Sequence, residues 1–388
     1  MSNIEDYMKD WTDGRIEAFR RTLLDWYDSQ SHTHQLPWRA HLDPYYIWVS
    51  EIMLQQTQVQ TVISYFNRFI DTLPTIKDLA NADEETLLSL WQGLGYYSRV
   101  RNMHKAAQQI MKDYDGQMPS TYQELVKLPG IGPYTAGAIA SIAFGESEPA
   151  IDGNLMRVTA RMFEIDEDIT KAKTKRLFYD ILKRLIDPKR PGDFNQAMMD
   201  LGRTIMTPAN LTPELSPIKE FDQSYQNGTA HLYPVKKKKT KATTHHYIAY
   251  VITNSKGQWL MTKHDEGQLL TGLWHFPLVE QQLQMQDATS TELIEPLQET
   301  LKDAVEEVDA TYQLGTHQMS LFPTNLEAMF PTIKHVFSHR IWYVRLVPIQ
   351  VQDLTLTETD YQWVDRETIE QYPYSTLQDK LFKAVEGL

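Results

Sequence analysis

The chain has 388 residues, 41% apolar and 23% charged, with a net charge of −13. That length calls for two or three domains, and that balance excludes a wholly disordered chain. There is no cysteine, which excludes disulfides, thiolate nucleophiles, thiolate zinc sites and cysteine-held iron–sulfur clusters.

No apolar run approaches the roughly 18 residues of a membrane span. The start, Met1–Asp6, has neither a basic nor an apolar signal region, so a cytoplasmic protein with no membrane partner is expected. The charge is unevenly spread. Residues 242–388 carry 9 Lys and Arg against 20 Asp and Glu, leaving 29 against 31 for residues 1–241. Lys171, Lys173, Lys175, Arg176, Lys183, Arg184, Lys189 and Arg190 cluster in the near-neutral part, and Lys236 to Lys239 follow. Such clusters either track phosphates or form a solvated helix face and a linker.

In chain order, residues 1 to 206 are expected to be mainly helical. Asp43-Pro44 reads as an N-cap with proline at the first helical position, and Thr121 with Glu124 as a capping box. Helical periodicity runs roughly over 15–29, 44–70, 83–92, 99–114, 121–128, 133–144, 155–164, 173–186 and 194–204. Residues 207–241, punctuated by Pro208, Pro213, Pro217 and Pro234, predict a connector with little regular structure. From 242 the pattern is α+β. Tyr247–Ile252, a turn at Asn254–Gly257 and Trp259–Thr262 predict a hairpin; Lys334–Leu346 is a further β run, and 290–308 and 375–386 are helical. The fold class expected is multidomain, a mainly α region (1–206), a connector (207–241) and an α+β domain (242–388).

Three places carry chemistry. Leu128-Pro129-Gly130-Ile131-Gly132 separates two helices. Its glycines allow a tight turn and leave the amides of the next helix free for a phosphate oxygen, the helix-hairpin-helix pattern; a plain helix–helix turn uses the same residues. Glu51 is the only charged residue among the 24 from Pro44 to Asn67, flanked by Trp48, Val49, Ile52, Met53 and Leu54. Desolvation there raises a carboxyl pKa and makes the group a proton donor near neutrality, unless a backbone or arginine partner satisfies it. Asp152, in Ile151-Asp152-Gly153-Asn154, follows the second hairpin helix. It is either a second carboxylate of the site or an ordinary N-cap.

These three places, with Leu36-Pro37-Trp38-Arg39, Ser50–Gln58, Gly93–Tyr97 and Phe194–Gly202, make residues 35–205 resemble the helix-hairpin-helix superfamily of DNA glycosylases. Within it the chain looks like the adenine-specific MutY family. The resemblance implies base-excision repair: a monomer, nucleoid-associated, that removes adenine mispaired with 8-oxoguanine or guanine in double-stranded DNA. It implies that Glu51 protonates N7 of a flipped adenine, that Asp152 stabilises an oxocarbenium-like sugar, and that Asn154 orients the pair. It puts Trp38, Arg39 and Leu54 around the adenine and Gly130 and Gly132 on the phosphates. Gln56, Thr57, Leu94 and Tyr96 would enter the duplex on the side of the opposite base. Read alone, Tyr96 is a core aromatic at a glycine-rich turn. Tyr134 stands where lyase members have a Schiff-base lysine, which implies a monofunctional enzyme.

The family's four cluster cysteines fall here on Met206, Pro213, Ser216 and Asp222. The resemblance therefore implies a member without an iron–sulfur cluster and with no other cofactor, a small cation on the hairpin being left open. Residues 242–388 resemble the family's C-terminal domain, itself related to Nudix hydrolases, with Leu273–Pro277 on a strand. Leu301–Asp309 keeps Glu306-Glu307 but lacks the leading glycine and the Arg-Glu pair of the hydrolases. A recognition module is expected, and Phe337-Ser338-His339 matches a loop that reaches 8-oxoguanine. Rival readings are a glycosylase for thymine or oxidised pyrimidines, an inactive DNA-binding protein, and a nucleotide pyrophosphohydrolase. The Gln55–Gln58 segment, the pair Glu51 and Asp152, and the incomplete metal helix count against them in turn.

Overall fold

The computed structural model describes residues 4–30, 35–208, 212–236, 242–265, 267–281, 320–321, 331–351, 356 and 360–386. The chain divides into two compact units, 1–82 with 98–238 and 83–97 with 239–388.

The first unit is built from helices whose apolar spacing dictates which face is covered. In Asp13–Ser29 the buried residues Ile16, Phe19, Leu23 and Tyr27 recur at three- and four-residue intervals. Pro44–Leu54 is buried on nearly all sides, and Asp43 caps it by accepting the Tyr45 amide at 2.8 Å, as its sequence predicts. The helix expected over 44–70 is two, Pro44–Leu54 and Val59–Thr72. Gln56 breaks it with φ +59°, and no glycine or proline marks the break. A further helix, Ile76–Asn81, opens on a reciprocal Thr75–Asp78 capping box. Thr121 does not form the box expected of it. Its hydroxyl donates to Glu124 Oε2 at 2.8 Å instead of accepting an amide.

Several members of the basic cluster are engaged in ion pairs, and Lys237–Lys239 lie outside the described residues. Lys183 pairs with the buried carboxylate of Glu148, Arg190 is bidentate to Asp28 at 2.7 and 2.9 Å, and Arg176 pairs with Asp180.

The connector carries more structure than its prolines predict. Short helical turns form at Pro213–Leu215, Lys219–Phe221, Gln223–Gln226 and Ala230–Leu232. Ile218 is buried, and the Phe221 ring lies 5.5 Å from Phe19 and 6.0 Å from Trp11. Arg161 donates to the carbonyls of Met206, Thr207, Ala230 and Tyr233 at 2.8–3.2 Å. A buried carbonyl left without a donor costs about 1–3 kcal/mol, so one guanidinium that satisfies four holds the loop closed. Met206, Ser216 and Asp222 are buried here, with Ser216 Oγ 3.9 Å from Met206 Sδ. Thioether, hydroxyl, carboxylate and Pro213 offer no thiolate, so this set does not fit an iron–sulfur cluster.

Among the described residues, the second unit is organised by an eight-stranded mixed sheet. Its strands are β1 (Thr243–Thr253), β2 (Trp259–Lys263), β3 (Trp274–His275), β4 (Leu278–Gln281), β5 (Ser320–Leu321), β6 (Thr332–Val336), β7 (Arg340–Gln350) and β8 (Tyr361–Val364). The order is β3-β2-β1-β7-β5; β4 adds to β1, β6 to β7 and β8 to β2. β1 and β7 run parallel from Thr243↔Arg340 to Thr253↔Gln350. The β1–β2 hairpin forms as expected but pairs only at Thr253↔Trp259, because β1 is engaged by β4 and β7. The helix Thr376–Glu386 brings Phe382 against Trp259, rings 5.3 Å apart and parallel within 4°. Residues 83–97 join this unit through Tyr97, whose hydroxyl donates to Tyr374 O at 3.2 Å. The helix expected over 290–308 and the Leu301–Asp309 segment lie outside the described residues.

Candidate active site

A cavity of about 190 Å³ in the first unit collects most of the residues expected to act together. Trp38, Arg39, Glu51, Leu54, Thr57, Tyr134, Asp152 and Asn154 all line it. They come from distant parts of the chain: a 3₁₀ turn at Pro37–Arg39, the helix Pro44–Leu54, the second hairpin helix Pro133–Phe144, and the start of the helix Gly153–Met162.

Glu51 opens the last turn of its helix and is 7% exposed. Burial pushes its carboxyl up from 4.5 to about 7, and the nearby Asp152 adds to that; Tyr134 and Arg39 oppose it. Tyr134, at the start of the hairpin helix, donates its hydroxyl to Glu51 Oε2. Burial and the Glu51 charge hold that phenol protonated well above its ordinary range, so it stays a donor. The hairpin thus does two jobs. Gly130, at φ +75° with a would-be Cβ only 2.6 Å from Asn102 Cβ, lets the chain turn. Gly132 then caps a helix whose first turn delivers Tyr134 to the acid.

Asp152 is the N-cap of the helix Gly153–Met162 and also lines the cavity with Glu51. Its Oδ1 accepts the amides of Asn154 and Leu155, each at 2.8 Å, and its Oδ2 accepts Asn154 Nδ2 at 2.6 Å. Burial raises its pKa, while those donors and Arg157 pull it down. The net shift of Asp152 is upward, with burial its largest cause; three donors aim at Asp152 and one at Glu51, so hydrogen bonding favours the ionised form more at Asp152.

Several supporting residues are not among the site residues expected from the sequence. Arg39 is held by Asp200 through two bonds of 2.6 and 3.1 Å, and Asp200 also binds Arg203 at 3.1 Å. Arg157 donates to Asn154 Oδ1 at 2.7 Å, Gly202 O at 2.6 Å and Met206 O at 2.7 Å, which ties the Asp152–Asn154 pair to the end of the helix Pro191–Thr204 and the residues just after it. Gly202 must be glycine, because a Cβ there would lie 2.8 Å from Asn154 Cβ. Asp200 and Arg157 each stand among apolar neighbours, Met198-Met199-Asp200-Leu201 and Leu155-Met156-Arg157-Val158. The signal is weaker than at Glu51, because Arg203 lies three residues from Asp200 and Arg161 four from Arg157.

Of the residues expected to enter DNA, Gln56 is exposed and Thr57 half-buried, at the rim of the cavity. Tyr96 and Leu94 belong to the second unit. Tyr96 is 45% exposed with φ +51°, which removes it from the core-aromatic reading. Leu94 departs from expectation. It is only 7% exposed, and its amide closes the turn on Trp91 O at 3.1 Å. Phe337, Ser338 and His339 form the β6–β7 turn. Phe337 is half-buried with its ring 4.9 Å from Trp342, while Ser338 and His339 are exposed. The Tyr96 and Ser338 hydroxyls meet at 2.5 Å. Among the described residues no three His, Asp or Glu side chains are grouped to hold a metal, and no helix is long and apolar enough to cross a membrane.

The geometry can be set beside known proteins. Residues 49–184 match the HhH-GPD superfamily of base excision DNA repair proteins, and residues 248–384 match the NUDIX domain. Similar proteins include the adenine DNA glycosylases of Schizosaccharomyces pombe (33% identical over 329 residues, 70% of this chain and 71% of that one), Arabidopsis thaliana (34%, 90% and 59%) and Rattus norvegicus (44%, 54% and 42%). The chain spans about half the length of the plant and mammalian relatives it matches. A thermostable thymine-DNA glycosylase shares the fold, with TM-score 0.50 and 23% identity over 55% of this chain and 97% of that structure.

Proposed function

This chain belongs to the adenine DNA glycosylase family, and on that premise we propose that it excises adenine opposite 8-oxoguanine or guanine in duplex DNA. The observation that carries the reading is Glu51, a carboxyl raised to about 7 and lining one cavity with Asp152 and Tyr134. That cavity is smaller than the roughly 300 Å³ at which drug-sized sites begin, which suits a single flipped base.

Glu51 gives its proton to N7 of adenine. The C1′–N9 bond then breaks with its electron pair going to the base, and positive charge develops at C1′ and the ring oxygen. Asp152, ionised, faces that charge, with Asn154 and Arg157 fixing its orientation. Water adds at C1′ and its proton passes to a carboxylate, leaving an abasic sugar and free adenine. Residues 1–206 hold the chemistry in this reading, and no cofactor takes part.

Adenine is a normal base, so discrimination has to come from the opposite strand. The second unit carries Tyr96 and Ser338, which supports a lesion-reading role for the Phe337–His339 turn. The test is single-turnover excision from duplexes with adenine opposite 8-oxoguanine, guanine, thymine or cytosine. Release opposite 8-oxoguanine and guanine but not cytosine is expected; release of thymine or of an oxidised pyrimidine in place of adenine would overturn the assignment. The double variant Phe337→Ala/Ser338→Ala should lower the preference for 8-oxoguanine over guanine by about 1–3 kcal/mol, the worth of one or two hydrogen bonds. Equal losses on both substrates would assign the turn to folding or general binding.

Tyr134 cannot form an imine, so the product strand should stay intact until base or heat is added. Efficient trapping of a covalent complex by borohydride would contradict a monofunctional mechanism.

A further inference from the structure

We propose that Arg99 is a positioning residue for adenine release, acting as a cationic clamp that holds the Gln55–Thr57 loop at the end of the Glu51 helix. This rests on the functional reading above. The helix Pro44–Leu54 ends one turn beyond Glu51, and the last carbonyls of any helix lack partners within it. Here Arg99 Nη1 lies 2.8 Å from Ile52 O, 3.2 Å from Met53 O and 2.5 Å from Gln55 O. One nitrogen with two hydrogens thus serves three carbonyls, and its charge sits on the negative end of the helix dipole.

What it holds is a turn with little reason to persist alone. The Gln55 amide reaches Ile52 O only at 3.4 Å, and Gln56 stands at φ +59°. A left-handed conformation is strained for a residue with a Cβ. The Thr57 amide closes on Leu54 O at 3.3 Å, and Gln55 Nε2 reaches Thr135 Oγ1 at 3.3 Å on the helix that carries Tyr134. The turn therefore sets where the exposed Gln56 points and where Thr57 meets the cavity, next to the acid. Arg99 is the second residue of the helix Ser98–Asp113, so one residue anchors the loop to the start of that helix.

Three measurements on the full chain test this: melting, amide exchange of residues 54–58 without DNA, and single-turnover release of adenine opposite 8-oxoguanine. A fourth uses 2-aminopurine in place of that adenine, whose fluorescence rises when the base leaves the stack. A displacement of about 1 Å near reacting groups costs on the order of 100-fold, so Arg99→Gln should slow release by about 10- to 100-fold. It should also speed exchange at Gln56 and Thr57 and blunt the fluorescence rise. Arg99→Lys keeps the charge and loses the fork, so it should fall between wild type and Arg99→Gln in all three readouts, with melting close to wild type.

Wild-type rates in Arg99→Gln would overturn the proposal, as would unchanged exchange at 54–58. A rate loss with a full fluorescence rise would overturn it too, because base extrusion would then not depend on the loop. Should Arg99→Gln fail to fold, the Lys variant decides: identity with wild type in rate and exchange sinks the clamp. A wild type that releases no adenine from any duplex would instead sink the functional reading, with exchange still deciding whether Arg99 holds the turn.

Discussion

Glu51→Gln is expected to leave a folded protein that binds duplex DNA and releases adenine about 10²- to 10⁴-fold more slowly, the usual reach of general acid catalysis. The amide keeps the shape and can still accept from Tyr134, but it has no proton to give N7. The same substitution should stabilise the protein above neutrality. The folded-state pKa is raised, from 4.5 to about 7, so the folded state holds the proton more tightly than the unfolded chain. Stability then declines as pH rises from 4.5 to about 7, and above that the buried charge costs about 3 kcal/mol in full. Glu51→Gln should melt higher than wild type at pH 8, with the gap shrinking toward pH 5. Turnover within tenfold of wild type, or a lower melting point at pH 8, would mean that Glu51 is a satisfied anion and not the acid.

Asp152→Asn is the second large effect, a loss of about 10²- to 10³-fold in release, comparable to removing one preorganised charge-stabilising group. Asparagine caps a helix about as well as aspartate, so the amides of Asn154 and Leu155 keep their acceptor and the fold survives. What disappears is the negative charge facing the sugar. Asp152→Ala also removes the cap and should melt lower by about 1 kcal/mol while being no less inactive than Asp152→Asn. Near-wild-type activity in Asp152→Asn would reduce the residue to a helix cap.

Much of this site is legible in the sequence because its members are anomalies of composition. Glu51 is conspicuous as the lone charge of an apolar helix, and Asp43-Pro44 announces where that helix begins. Other features have no local signature. Gln56 takes a left-handed conformation without glycine because a distant arginine binds the carbonyls around it, so periodicity runs straight through the break. The connector looks irregular from its prolines, yet Arg161 and the Trp11–Phe19–Phe221 cluster give it a fixed course. Tyr134 is noticed for the lysine it replaces, and its bond to Glu51 follows only from the packing of the hairpin helix on the acid's helix. Leu94 is expected at the DNA surface only from the resemblance of Gly93–Tyr97, and in the structure it is 7% exposed in a turn flanked by two glycines of positive φ.

The central claim is that a protonated Glu51 acts on adenine while an ionised Asp152 waits beside it. The most direct test is the pH dependence of single-turnover release by the wild type, from a duplex carrying adenine opposite 8-oxoguanine, with enzyme in excess. The acid form is required, so the rate should hold up to about pH 7 and then fall by about tenfold per unit as Glu51 ionises. At the acid end the rate should fall again as Asp152 takes a proton. A rate that is flat or rising from pH 6 to pH 9 would contradict the account.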